Sequence, residues 1–357
     1  MNIVAHLSDS SCRTLILKCS SPFFVTGVII NIFEASLSQV SIGFPISMQN
    51  LTMFPLEAEL SEKENYLDFS EQVNLGTVKV TEVDESGSVP TLFVENKNED
   101  AVFILDGEHL IGAKQDRIVN LSILLPALKK IEIPVSCVEQ GRWSYTTEHF
   151  FSEGKMHFNR GRRSRQRSVS ESMASRRTRS SNQSEVWNDI SDKERLLGAH
   201  SRTASMRDMY SSFEEILNLI KEGMRPTPNQ VGSLFSINER IIGFDLFNSR
   251  DTLNKHLEKL VESMAVDALE YRVETPHPSR EEARLFFEEF SALEAAKYPA
   301  LGLGEDVRAY SDRLTASALV HKDKAVHVSG FILDSNIRGS SERRRSFEQM
   351  RRSRSGN

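Results

Sequence analysis

The sequence predicts an α+β fold with no repeating βαβ unit, and three observations carry that reading. Short β-branched segments separated by turn residues fill residues 50–145, which makes the amino-terminal half β-rich. Amphipathic helical patterns with capping signals take over after residue 186, and two further strand pairs lie among and after those helices. The 357 residues are 39% hydrophobic and 26% charged, enough to bury at least one substantial core and too apolar for a wholly disordered chain. The longest apolar run, Phe23 to Phe33, is interrupted by Thr26, Gly27 and Asn31 and falls well short of the roughly 20 residues a membrane helix needs. No membrane span is expected. Three cysteines (Cys12, Cys19, Cys137) without a CxxC spacing argue against a disulfide framework or zinc ribbon and fit a reducing, cytoplasmic setting.

Taken in order, residues 1–47 read as a poorly specified extension, with few charges and many serines. Arg13 and Lys18 ahead of the apolar run leave a signal peptide as the competing reading, although Lys18 stands where a lipoprotein signal needs a small residue. Met48 precedes NLTMFPLEAEL and starts a single domain spanning 48–333, β-rich to residue 150. Its first strands are TVKVTEV (77–83), TLFVEN (91–96) and AVFIL (101–105), with DESGSVP and ENKNED as turns. RIVNLSILL (117–125) and IEIPVSCVE (131–139), joined by five residues, form a long antiparallel hairpin. Pairing Leu125 with Ile131 sets Ile123 against Ile133, Leu121 against Val135, Val119 against Cys137 and Arg117 against Glu139. Four aliphatic tiers then end in one charge pair on a single face, and a slip of one residue would mix hydroxyls and charges into them.

In the helical and mixed half (186–333), Ser212 and Glu215 form a capping-box pattern opening a helix with Phe213, Ile216, Leu217 and Ile220 on one stripe. LFSINERIIGFDLF (234–247) reads as two strands around a turn. Asp251 caps a helix striped by Leu253, Leu257, Leu260, Val261, Met264 and Ala268. The Ser279/Glu282 box after Pro278 starts another, with Ala283, Phe286, Phe287, Phe290 and Leu293 inward. A glycine-rich loop, YPALGLGED (298–306), precedes a hairpin of TASALV (315–320) and AVHVSGFIL (325–333) turning at HKDK.

The formal net charge of −6 hides a segregation: residues 160–180 carry +7 and residues 338–357 carry +5, leaving about −18 on the rest. GRRSRQRSVSESMASRRTRSS and SERRRSFEQMRRSRSGN read as solvated, flexible appendages, the first inside an Arg/Ser-rich segment (160–185), the second in a disordered basic tail (334–357). They suit weak contact with nucleic-acid phosphates or an acidic protein, or phosphorylation at Ser168 and Ser346. ASRRTR also has the composition to start a helix.

The expected hairpin gathers polar residues at one end. Glu108 lies in LDGEHLIGAKQDR, Gln115 leads into Arg117, and Glu139 leads through Gly141 to Arg142 and Trp143. Guanidinium forks bind phosphate or carboxylate bidentately, amides and carboxylates read hydroxyls, and an indole is a stacking plate. Gln115, Arg117, Asn120, Arg142 and Trp143 are therefore candidate ligand-binding residues, and Glu108 and Glu139 candidate catalytic carboxylates. The competing reading makes Arg117 and Glu139 a structural ion pair and Trp143 core. Cys137, opposite Val119, reads as a small buried hydrophobe rather than a nucleophile, and His327 as a satisfied strand histidine or a general base. No spacing insists on a metal, and no cofactor can be named.

LDGEHLIGAKQDRIVNLSILLP followed by IPVSCVEQGRW resembles a family named for its association with ADP-ribosylglycohydrolase and rhodanese-phosphatase proteins. NQSEVWNDI (182–190), SRT (201–203), NQVGSLFSINERIIGFDLF (229–247), the GLGED loop and ALVHKDKAVHVSGF extend the resemblance over about residues 48–333. It implies a place near ADP-ribose or NAD turnover, and hence binding or hydrolytic processing of an ADP-ribose-like or NAD-derived ligand. Such a ligand offers a diphosphate for Arg117 and Arg142, ribose hydroxyls for Glu108 or Glu139, and an adenine for an aromatic plate. Gly302, Gly304 and Asp306 are further phosphate-site candidates, with a plain turn as the other reading. Asp306 and Asp245 join the carboxylates able to position a water. The alternative function is a non-enzymatic module that recognises a modified protein or nucleic acid through the basic segments, so whether the chain is an enzyme stays open.

Overall fold

The computed structural model describes residues 31–59, 66–83, 90–271, 273 and 275–333. Both the apolar-run readings at 1–30 and the basic tail at 334–357 lie outside the described residues. The described fold starts ahead of the boundary expected at Met48. Asn31 caps helix α1 (Ile32–Leu37) by accepting from the Phe33 amide at 3.0 Å, and its own amide reaches the Ser291 and Leu293 carbonyls. Strands β1 (Ser41–Ile42) and β2 (Ile46–Met48) both pair with β3 (Leu51–Glu57).

The next stretch is β-rich as expected: β4 (Tyr66–Asp68), helix α2 (Phe69–Asn74), then β5 (Val78–Glu82), β6 (Thr91–Asn96), β7 (Ala101–Ile104), β8 (His109–Gly112), β9 (Arg117–Val119), β10 (Ile123–Leu125), β11 (Lys130–Cys137) and β12 (Phe150–Phe151). Six of them form an antiparallel sheet in the order β12-β8-β9-β11-β6-β5, and β10, β7 and β4 form a three-stranded sheet in which β4 runs parallel to β7. The long 117–125/131–139 hairpin is corrected by this topology. Val119 pairs with Val135 and Arg117 with Cys137, two residues from the expected register, so the predicted face survives but Arg117 does not oppose Glu139. β11 changes neighbours near Pro134, which has no N–H to give: its first five residues pair with β6 and only its last three with β9. β10 leaves the hairpin for β7, where Ile123 opposes Ile104.

Four helices follow, α3 (Asn159–Arg176), α4 (Gln183–Leu197), α5 (Met206–Ser211) and α6 (Glu214–Gly223), then β13 (Gln230–Ile237), β14 (Arg240–Phe247), α7 (Arg250–Ala268), α8 (Arg280–Ser291), β15 (Ala295–Pro299), β16 (Glu305–Tyr310), β17 (Leu314–His321) and β18 (Lys324–Ile332). The strands join β1–β3 in a nine-stranded antiparallel sheet ordered β1-β3-β13-β14-β18-β17-β16-β15, with β2 on β3. Strand alternation splits its side chains between two cores. Leu51, Met53, Phe235, Phe247 and Phe331 share a core with the apolar stripe of α7, while Phe54, Leu56, Leu234, Phe244 and Val328 pack with Phe33 of α1 and the phenylalanines of α8. A third core lies within the six- and three-stranded sheets. Among the described residues no helix is long and apolar enough to cross a membrane.

The Ser279/Glu282 capping box is present. Two other caps differ from expectation. Ser249, not Asp251, caps α7 by accepting from the Thr252 amide, and Asp251 occupies the first turn, where its charge complements the helix dipole. Ser212 ends α5 and donates to the Asp208 carbonyl at 2.8 Å, so α6 opens on Phe213 without a side-chain cap. The larger correction concerns the Arg/Ser segment, which is no flexible appendage. Its residues 160–176 belong to α3, and Arg162, Arg165, Gln166, Val169, Ser170 and Met173 lie on the buried face of that helix.

Candidate functional site

The loop after β11 and the turn between β8 and β9 close over each other around Asp116 and Glu139. Arg142 donates to Glu139 Oε2 at 2.8 Å through Nε, to Asp116 Oδ1 at 3.0 Å through Nη2 and to the Ala113 carbonyl at 2.8 Å. Glu139 also accepts from the Asp116 amide and from Thr203 Oγ1 at 3.1 Å. Burial pushes the Asp116 carboxyl up, but His109, 3.6 Å away, and Arg142 outweigh it and hold the group below the usual carboxylate range. Arg117 is buried and donates to the Gln115 carbonyl and to Gln115 Oε1, with Glu82 3.8 Å from its Nη2. Cys137 donates its thiol to the same Gln115 oxygen, and burial pushes that thiol up, which keeps it protonated. Gln183, in the first turn of α4, clamps the Cys137 backbone with two 2.8 Å bonds, one to its N–H and one to its C=O. The NQ of residues 182–183 and the SRT of 201–203 thus meet the first two family-like blocks here.

The outer surface of this cluster is aromatic. Trp143 and Tyr145 are 48% and 54% exposed, and Lys114 Nζ lies 5.4 Å and 5.1 Å from their ring centroids. The Arg117 guanidinium lies beneath, 5.8 Å from the Trp143 centroid.

Of the residues singled out from the sequence, Gln115, Arg117, Glu139, Arg142 and Trp143 come together. The others do not. Glu108 points to α7, where Lys259 Nζ donates to Oε2 at 2.6 Å and Ser70 and Ser152 donate to Oε1. Asn120 accepts from Ser136 Oγ at 2.6 Å. Gly302 and Gly304 form the turn between β15 and β16, where a Cβ on Gly302 would overlap the Leu124 carbonyl oxygen. Asp306 is paired with Arg308 at 2.6 Å.

A second cluster was not assembled by sequence reasoning. Asp245 and Ser329 on β14 and β18, with Ser233 and Ser317 beside them, make a polar row across the large sheet. The charged face of α3 docks on it: Arg162 makes two bonds to Asp245 (2.9 and 2.6 Å) and one to Asp106 (2.9 Å), and Gln166 donates to Ser317 and Ser329. Arg165 donates to the other Asp106 oxygen at 3.0 Å and to His157 Nδ1. Gly107 (φ +83) leaves room for both arginines, since a Cβ there would press on each at 3.3 Å. Burial raises the Asp106 and Asp245 carboxyls, but the guanidiniums override it, holding Asp106 well below the usual range and, with His327, keeping Asp245 below it. Burial and the crowding of Arg162 bring Arg165 down to about 10 despite Asp106. The row ends in His327, whose Nε2 is 3.0 Å from Asp245 Oδ1 and whose Nδ1 is 2.9 Å from Ser122 Oγ.

Among the described residues, Asp106, Asp245 and His327 are the trio whose ligating atoms lie within 4.8 Å of one another. Arg162 bridges both carboxylates, so the cation they hold is a guanidinium. The signal for this cluster was the spacing of 162, 165, 166, 169 and 173, a helical face hidden because Arg162, Arg165 and Gln166 stand where leucine would be expected, beside Val169 and Met173.

The family model described as the ARG and Rhodanese-Phosphatase-superfamily-associated Protein domain matches residues 39–331, and the chain belongs to that family. The name ties the family to those two superfamilies and specifies no reaction. No curated protein and no solved structure matches the chain.

Proposed function

We propose, with membership of that family as the premise, that this protein binds an ADP-ribose-like or NAD-derived ligand at the edge formed by Lys114, Arg142, Trp143 and Tyr145. The observation that carries the reading is the placement of two exposed aromatic rings around one ammonium group. Flat apolar faces beside a cation suit a nucleobase joined to a diphosphate. Arg142 keeps 15% of its side chain exposed, while Arg117 lies buried beneath and contributes its field rather than a contact. Binding fits this edge better than hydrolysis. Glu139 and Glu108 each accept protein donors on both oxygens, which leaves neither disposed to activate a water.

Isothermal titration calorimetry with ADP-ribose, NAD and AMP tests the proposal. Stacking of a base on an aromatic side chain contributes about 1–3 kcal/mol, so W143A is expected to weaken binding by roughly 5- to 150-fold. No heat from any of the three at millimolar concentration would sink it.

A further inference from the structure

The hydrogen-bonded chain from Arg162 to Ser122 has the connectivity of a nucleophile, its base and an orienting acid, and the ligand edge uses none of it. We propose that Ser122 is a nucleophilic serine for hydrolysis of carboxylic esters, with His327 as its base and Asp245 as the positioning residue. Asp245 can only accept, so His327 carries its proton on Nε2, 3.0 Å away, and presents the Nδ1 lone pair to Ser122 Oγ at 2.9 Å. The Asp106 amide donates to the same Oγ at 3.1 Å, which leaves the hydroxyl hydrogen directed at the imidazole. Arg162 fixes Asp245 with two bonds, and the Phe247 ring stacks on His327 at 4.9 Å. Asp106, Arg162, Asp245 and His327 are buried, whereas Ser122 is only half-buried, so the nucleophile sits on the partly exposed residue of the chain.

In the reaction, Ser122 Oγ attacks the ester carbonyl carbon as its proton passes to His327 Nδ1. The bond to the alcohol oxygen breaks, the departing alkoxide takes that proton, and an acyl group remains on Ser122. Water then gives a proton to Nδ1 and attacks the same carbon; the acyl–Oγ bond breaks, Ser122 recovers the proton, and a carboxylic acid leaves. Asp245 stabilises the imidazolium of both steps across Nε2. This site lies beyond the far end of β9 from the ligand edge and does not depend on what binds there.

The test is labelling of the full chain with a fluorophosphonate, followed by peptide mass spectrometry, together with the time course of p-nitrophenyl acetate hydrolysis. Expected are a single phosphonyl adduct on Ser122, none in S122A, labelling slowed by roughly 100-fold or more in H327Q, and a nitrophenolate burst of about one equivalent in the unmutated protein only. No adduct on the folded unmutated protein, an adduct that persists in S122A, or unchanged labelling of a folded H327Q would overturn the proposal. The first two outcomes are decisive even if H327Q does not fold, and neither bears on the calorimetry of the ligand edge.

Discussion

Two clusters of arginine and carboxylate lie towards opposite ends of β9, and they meet the cost of burying charge in different ways. At the edge, Asp116 and Glu139 share Arg142 with backbone amides, His109 and Thr203, and the guanidinium still touches water. Under α3, Asp106 and Asp245 share Arg162 with almost no water at all, and each charge is neutralised inside the protein. The difference teaches which cluster can change partners. A partly exposed guanidinium can exchange partners, whereas moving Arg162 would leave Asp245 without a guanidinium and Asp106 with Arg165 alone; Ser122 and Ser317 are the half-buried members of the inner cluster.

The strongest attempt to break this contrast is Arg162→Ala. It leaves buried Asp245 with His327 as its remaining side-chain partner and Asp106 with Arg165, and is expected to cost about 3–5 kcal/mol, read from the urea midpoint, against about 1–2 kcal/mol for Arg142→Ala. Equal losses would mean that the two clusters bear similar loads. Next in size is acidification. His157 and His256 are held well below the ordinary histidine value, each first by burial and then by a cation, Arg165 and Lys259. Because the unfolded chain takes those protons first, stability is full above about pH 6.5 and falls below it by about 1.4 kcal/mol per unit for each ring. The depressed Asp106 and Asp245 add their loss only below about pH 4. Melting temperature measured from pH 7 to pH 5 should therefore drop steadily; a flat profile would show that neither histidine is kept neutral by the fold.

Gly107→Ala sharpens the comparison further. It imposes a Cβ at φ +83 and presses on Arg162 and Arg165, so a loss of about 1–3 kcal/mol is expected in thermal denaturation, with the calorimetry of the ligand edge unaltered. The smallest stability effect belongs to Trp143→Ala, about 0.5 kcal/mol or less for a half-exposed ring, although the same change is the one expected to damage ligand affinity most.

What was legible in the sequence was local. The Ser279/Glu282 box and the 234–247 and 315–333 hairpins are set by residues within a few positions of one another, and they form as their turn and cap chemistry dictates. The 117–139 hairpin reads locally as one ladder, but β7 and β6 compete for its strands from the preceding segment, and no pattern within the hairpin encodes that competition. Five of the ten expected site residues meet because they flank the two ends of β9 and β11 that do pair. Arg162 was misplaced for the opposite reason. Among eight arginines it looks solvated, and only Asp106 and Asp245, 56 and 83 residues away, make its burial possible.

Those separations have a consequence for how the molecule opens and closes. One guanidinium ties the turn between β7 and β8 to the centre of the nine-stranded sheet, so neither can come apart at this point without exposing the other's unpaired charge. Amide hydrogens around Asp106 and along β14 are therefore expected to exchange through a single shared opening with one free energy, and Arg162→Ala to split it into two. A contact of such long range also carries a large loop-closure cost, so the docking of α3 is expected to come late in folding.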